Sequence, residues 1–222
     1  MKDNRGSDKD TTNKEQILAR LRNAIIEKPE AMFGDIDLQS DTWQPIKEED
    51  GNAITFVEKF KDMGGIFVYL ENEAEFGDCL HQLAPQNGWE PLWCTSPAMQ
   101  QLLEKYGLSY QTEFSRENKQ KLVAITDCEY LIAQTGSIML SDRNTGSRKS
   151  YTEADVLLVM AHTDQITDGL KEALGKVKES LNSNEASQVA IITGPTRTYD
   201  IEQAEVTGVF GPRQIAVFLI DD

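Results

Sequence analysis

Asp155-Val-Leu-Leu-Val-Met-Ala161 is the stretch on which the fold turns. The run is apolar without the alternation of a half-exposed strand and too short for a free-standing helix. It therefore predicts a strand covered on both faces, as in a parallel α/β sheet. Working outward from it, a helix is expected from about Thr163 to Leu181. Val189-Ala-Ile-Ile192 reads as another buried strand and Ile215-Ala-Val-Phe-Leu-Ile220 as the last one.

Toward the N-terminus, Ser137 to Leu140 reads as a strand. Leu122 to Thr126 is either a further strand or the approach to a helix around Asp127 to Ala133, and periodicity leaves both open. Pro91-Leu-Trp-Cys94 is a short strand, with Ser96 as N-cap and Pro97 at N1 of a helix marked by Met99, Leu102, Leu103 and Tyr106 and closed by Gly107. Before it, Gly65-Ile-Phe-Val-Tyr-Leu70 is a strand rich in β-branched and aromatic residues, followed by an acidic helix to about Leu83. Ala53, Phe56, Val57 and Phe60 at helical spacing predict a short helix that stops at Gly64-Gly65.

Residues Phe33 to Asn52 show no sustained period and are broken by Pro45 and Gly51, so a surface connection is expected there. A further helix is expected at the N-terminal end. Thr12 and Glu15 fit a capping box, Ile17, Leu18, Leu21 and Ile25 share one face, and Pro29 ends the pattern. Met1 to Asp10 is polar and offers nothing to pack. The expected organisation is an N-terminal helix and wrapping connection over residues 1–52, then an α/β domain over 53–222. Its alternating strands and helices imply a three-layer α/β/α arrangement around a mostly parallel sheet.

Composition narrows the function. There are 22 Lys and Arg against 37 Asp and Glu, giving a net charge of −15 that repels a phosphate backbone and argues against general nucleic-acid binding. No stretch approaches the roughly 20 apolar residues of a membrane span, and the first residues lack a signal-peptide core, so a cytoplasmic protein is expected. Cys79, Cys94 and Cys128 are widely spaced and form no Cys-x-x-Cys pair, which reads as free, largely buried thiols. No cofactor motif or histidine-rich metal centre is present, since only His81 and His162 occur, and no cofactor is expected. His162, after the decisive strand, reads first as a structural hydrogen bonder.

Chemistry is expected in loops at strand ends, where backbone amides leave the packed core. Thr135-Gly136-Ser137 offers hydroxyl donors around a glycine, or simply a tight turn. The segment from Asp142 to Ser150 concentrates Arg143, Arg148 and Lys149, either as part of a site or as a solvated surface. Gly194-Pro195-Thr196-Arg197-Thr198-Tyr199-Asp200 combines a turn, hydroxyls and the fork of Arg197, with Thr198 as N-cap of an expected helical turn. Such a loop suits a carboxylate or phosphate, unless Asp200 merely neutralises Arg197. Gly211-Pro212-Arg213 sets a turn from which Arg213 either points into the same crevice or lies on the surface.

At Thr135-Gly136-Ser137, Arg148, Gly194 through Glu202 and Gly208-Val209-Phe210-Gly211-Pro212-Arg213, the chain resembles the LUD domain family, in its lactate utilization protein C branch. The resemblance runs from about Gly64 onward and is strongest after Leu131. It implies a fold like the NagB/RpiA/CoA-transferase group, and a non-redox subunit that acts with iron–sulfur partner proteins in oxidising L-lactate to pyruvate. Two departures stand out: Gln134, where the family often has an acidic residue, and Thr152-Glu153-Ala154, where it commonly has prolines. On this reading the candidate ligand-binding residues are Thr135, Gly136, Ser137, Arg148, Gly194, Thr196, Arg197, Thr198, Asp200, Gly211 and Arg213, with a small carboxylate or phosphate as ligand. Two alternatives stand beside it: an independent isomerase or CoA transferase using Glu202 or Glu205, and a purely assembling or regulatory subunit.

Overall fold

The computed structural model describes residues 13–26, 51–113, 121–180, 187–199, 201–202 and 204–221. The chain divides into two compact units, Met1–Thr42 and Trp43–Asp222. In the first, α1 (Asn13–Ile26) is amphipathic, with Ile17, Leu18 and Leu21 exposed. Thr12, Pro29 and the expected connection up to residue 50 lie outside the described residues.

The second unit opens with α2 (Gly51–Asp62), β1 (Ile66–Leu70), α3 (Glu73–Asn87), β2 (Leu92–Trp93), α4 (Pro97–Lys105) and β3 (Tyr110–Gln111). Next come β4 (Val123–Asp127), the hairpin β5 (Tyr130–Ile132) and β6 (Ser137–Ser141), and two short helical turns, α5 (Asp142–Thr145) and α6 (Lys149–Thr152). They lead to β7 (Val156–His162), β8 (Ile166–Thr167), α7 (Leu170–Ser180), β9 (Val189–Ile192), the hairpin β10 (Arg197–Tyr199) and β11 (Glu205–Thr207), and finally β12 (Gln214–Ile220).

A six-stranded sheet in the order β1-β12-β7-β4-β2-β3 forms the centre, and every pairing in it is parallel. The apolar run around Leu157 is explained by its place. β7 lies between β12 and β4, with Leu157 opposite both Ile215 and Ala124. Val156 and Leu158 join Phe76, Leu80 and Leu103 of α3 and α4 on one face, while Leu157 and Val159 join Phe56 and Phe60 of α2 on the other. Both faces are therefore dry, which is why no polar residue interrupts the strand.

Local chemistry sets the helix ends. Ser96 caps α4 by accepting from the Met99 amide, with Pro97 in the first turn, as expected. Asn72 caps α3 through the Glu75 amide, and α3 continues past Leu83 to Asn87 before Gly88 turns left-handed at φ 63°.

Four expectations need correction. The helix expected from Thr163 begins only at Leu170, because residues 163–165 form a 3₁₀ turn and Ile166–Thr167 pair with β5. The segments around Ile138 and Ile191 do not extend the parallel sheet. They pair antiparallel in a separate four-stranded sheet, β8-β5-β6-β9, which covers one face of the central sheet beside α2. Its Leu131, Ile138 and Leu140 face that shared core, while Ile132 and Met139 face Ala173 and Val177 of α7. Nor is β9 a buried strand: it ends the small sheet and Ile191 is 44% exposed. Finally, Thr198 caps no helix, since it lies in β10 opposite Val206 of β11.

Candidate functional site

The second sheet changes where the predicted loops lie. The loop after β9 leaves an antiparallel strand and folds back against the beginnings of β7 and β12. The Thr196 amide donates to the Pro212 carbonyl, the Gly208 amide to the Thr196 carbonyl, and the Arg213 amide to the Asp155 carbonyl, at 2.8–2.9 Å. Between these segments and β9 runs an open groove of about 500 Å³, lined among others by Met63, Tyr151, Ile191, Thr196, Arg197 and Phe210.

Of the eleven expected residues, Gly194, Thr196 and Arg197 line this groove, and Ser137 and Gly211 touch it through the lining residues Thr193 and Thr196. Thr135 and Ser137 share a hydroxyl hydrogen bond of 2.7 Å, and Ser137 shares another of 2.7 Å with Thr193 at the end of β9. Gly136, at φ 61°, is held by packing: a Cβ there would collide with the backbone of Lys59 and Phe60 at the end of α2. Gly194, at φ 67°, presses in the same way on the Met63 carbonyl. Gly136 therefore admits α2, and Gly194, which also lines the groove, admits the turn that follows it. Buried Gly211 lies against the Thr196 hydroxyl.

Arg197 forms one wall. Its Nη2 donates to the Met63 carbonyl at 2.9 Å, and its Nε stands 3.6 Å from Glu205, both side chains nearly half exposed. An ion pair so open to water holds the guanidinium weakly. Glu205 thus occupies the neutralising role considered for Asp200, which itself lies outside the described residues. Tyr151 is buried beneath the groove. Burial pushes its hydroxyl pKa up, while the charge of Arg148 works in the opposite direction.

The remaining predicted residues stand apart. Arg148 is exposed at the start of α6 and does not line the groove. Thr198 is exposed on β10, and the Arg213 side chain is exposed and packed beside Gly208. Glu202 and Glu205 are exposed residues of the hairpin and do not line the groove.

A second polar centre escaped the sequence reading. At the opposite end of the central sheet, where β2 and β4 finish, the chain reverses its direction of progress across the sheet, the place where open α/β sheets receive ligands. Here the Asp127 carboxylate accepts from Ser96 and Asn144 at 3.1 Å each. Burial holds its pKa above the ordinary aspartate value, with those hydrogen bonds opposing the shift. Glu129, 7% exposed, accepts from Ser141 at 2.6 Å and from both Nη2 and Nε of Arg143 at 2.6 and 3.2 Å. The signal was present in Thr126-Asp-Cys-Glu-Tyr130, acidic residues flanking a buried cysteine at the end of an apolar run. The ambiguity between strand and helix over that stretch concealed it.

Cys94 and Cys128 are buried free thiols, the first pushed up to about 12 by burial and the second also raised by burial. Cys79 is half-buried and free. Among the described residues, no group of three or more His, Cys, Asp or Glu side chains converges as a metal site, and no helix is long and apolar enough to cross a membrane.

Comparison with known proteins agrees with this architecture. A crystal structure of a DUF162 family protein from Deinococcus radiodurans superposes with a TM-score of 0.59 at 17% identity, covering 79% of this chain and 99% of that one, a likeness of fold. Proteins named lactate utilization protein C are 31% identical over 97 residues in Deinococcus radiodurans, and 27% identical over 121 residues in Bacillus pumilus. These matches cover 43% and 51% of this chain and 45% and 50% of the relatives, so the chain spans about half the length of the curated relatives it matches. The LUD domain model matches residues 54–220, the α/β unit almost from α2 to the end of β12, and the chain belongs to the LUD domain family.

Proposed function

We propose that the chain serves lactate utilisation, the role named for its curated relatives, as a non-redox subunit that holds a small carboxylate in the groove beside Arg197 and works with iron–sulfur partner proteins. The observation that carries the ligand half of this reading is Arg197 itself. It is a planar cation on the wall of a groove, in a chain of net charge −15, with one carbonyl and one solvent-exposed carboxylate as its partners among the described residues. A guanidinium so placed offers a bidentate face to a carboxylate, while Ile191, Met63 and Phe210 shield the ligand's carbon skeleton. Thermal-shift and calorimetric titration with L-lactate and pyruvate test it. Saturable stabilisation that disappears in Arg197→Ala is expected, and no response to either acid would remove the groove from the reading.

A second reading is favoured by Asp127. A half-buried carboxylate with a raised pKa at the sheet's reversal point is a fitting proton acceptor for an isomerase, and it replaces Glu202 and Glu205 in that role. Under this reading the protein turns over a sugar phosphate or an acyl-CoA, and Asp127→Asn stops turnover without unfolding the chain. Absence of turnover by the wild-type protein rejects it.

A further inference from the structure

We infer that the groove beside Arg197 selects carboxylates with an extended apolar body, an inference that rests on the carboxylate reading above and names the ligand class more narrowly.

Size is the first argument. The groove's 500 Å³ would hold roughly sixteen waters at about 30 Å³ each, so a three-carbon hydroxy acid fills on the order of a third of it. Lining is the second. Away from Arg197 the walls include Met63, Ile191, Pro195, Phe210 and Pro212 beside the hydroxyl-bearing Tyr151, Thr152, Thr193 and Thr196, and among the described residues no charged side chain other than Arg197 lines them. Phe210 and Ile191 are 79% and 44% exposed, so an apolar body lying on them would gain burial that these side chains otherwise lack.

Backbone geometry supplies the third. Ala190, Ile191, Ile192 and Thr193 are consecutive lining residues. A ligand lying on a sheet face meets alternate residues, so consecutive lining means that the groove meets β9 along its edge. The Asp142 amide bonds the Gln188 carbonyl across the β6–β9 pairing. By the antiparallel alternation, Ala190 and Ile192 then bond toward β6, and the amides of Ile191 and Thr193 point away from it, toward the groove. A cation, two outward amides and an apolar trough are the parts needed to bind an amphipathic anion. The charge complementarity also opposes a second copy of this chain as occupant, since each copy carries −15.

The test is a calorimetric series of straight-chain 2-hydroxy acids, from lactate to 2-hydroxyoctanoate, on the full chain. Affinity is expected to rise about twofold to fourfold per added methylene until the trough is filled. Arg197→Ala should weaken every member by a similar factor, whereas Phe210→Ser and, separately, Ile191→Thr should flatten the chain-length dependence, weakening the longest acids far more than lactate. Equal affinity for lactate and the longest acid overturns the inference while leaving the carboxylate reading intact. No binding by any acid overturns both. A blocked peptide of alternating apolar and acidic residues that binds and protects the Ile191 amide from exchange, where the acids do not, also overturns it and assigns the edge to a polypeptide instead.

Discussion

Arg197 donates from Nη2 to the Met63 carbonyl at 2.9 Å, so the cation assigned to the ligand also ties the β10–β11 hairpin to the turn after α2. The two roles differ in magnitude. A solvent-exposed hydrogen bond and a 3.6 Å surface ion pair contribute at most about 1 kcal/mol to folding, whereas a bidentate carboxylate contact is worth tenfold or more in affinity. Arg197→Ala is therefore expected to leave the urea midpoint almost unchanged and to weaken lactate binding at least tenfold. Arg197→Lys should recover only part of that loss, because an ammonium lacks the planar fork. Unchanged lactate affinity in Arg197→Ala would show that the side chain serves the hairpin alone.

The Glu129–Arg143 pair makes the opposite prediction, a large effect on stability. The Glu129 side chain is 6% exposed and that of Arg143 is 35% exposed, so removing the arginine leaves a buried carboxylate with Ser141 as its one side-chain donor among the described residues. Arg143→Met is expected to cost about 2–4 kcal/mol, somewhat below a fully enclosed pair because water reaches the guanidinium. Adding Glu129→Gln to that variant should restore much of the loss, since the uncompensated charge is then gone. Equilibrium urea unfolding of the single and double variants measures both, and additive losses would mean that the two residues do not act as a pair.

How much of this was legible follows from what each residue faces. The run Val156 to Ala161 could be read directly, because β7 is enclosed on both sides and both edges, and only apolar residues fit. Val189 to Ile192 carries the same composition, yet it is an edge strand of a different sheet; a short apolar run does not encode which partner it will find. That ambiguity moved the Gly194–Arg197 loop from the carboxyl to the amino end of the parallel sheet. Thr198 misled for a local reason: threonine ahead of acidic residues looks like an N-cap, but pairing with Val206 overrode it. The turns at Gly136 and Gly194 and the cation Arg197 could nonetheless be picked out, since turn glycines and a lone arginine are visible without knowing strand order.

Thr135-Gly136-Ser137 reads as a ligand loop or, more readily, as a tight turn, and the setting of Gly136 is one of packing. Gly136 is left-handed at φ 61°, and any Cβ would meet the α2 backbone at Phe60. Gly136→Ala is expected to destabilise the protein by about 2 kcal/mol or more, from the strained backbone and the displaced helix together. Ser137→Ala breaks the hydroxyl chain to Thr193 and should cost about 1 kcal/mol. Chemical denaturation reads both. A Gly136→Ala protein of wild-type stability but impaired lactate binding would return the turn to the ligand.

Asp127 gives stability a pH dependence whose sign follows from its environment. Burial raises its pKa in the folded protein, so the folded state holds the proton more tightly than the unfolded chain does. Its contribution is therefore fully present below the unfolded value, near pH 3.9, and is lost as pH rises from there through the raised folded value. This runs opposite to a carboxylate held by hydrogen bonds, such as Asp142, whose pKa is lowered first by its hydrogen bond from Ser187 and whose support is lost as pH falls. Asp127→Asn removes the titrating proton while keeping an oxygen for Ser96. It is expected to be less stable than wild type in acid and to gain relative to it as pH rises through the weakly acidic range. The difference between the two unfolding free energies, followed by urea denaturation from about pH 4 to 7, should slope in that direction. A flat difference would mean that Asn144 and Ser96 cancel the burial effect, leaving Asp127 an ordinary carboxylate and weakening its candidacy as a proton acceptor at the sheet's reversal point.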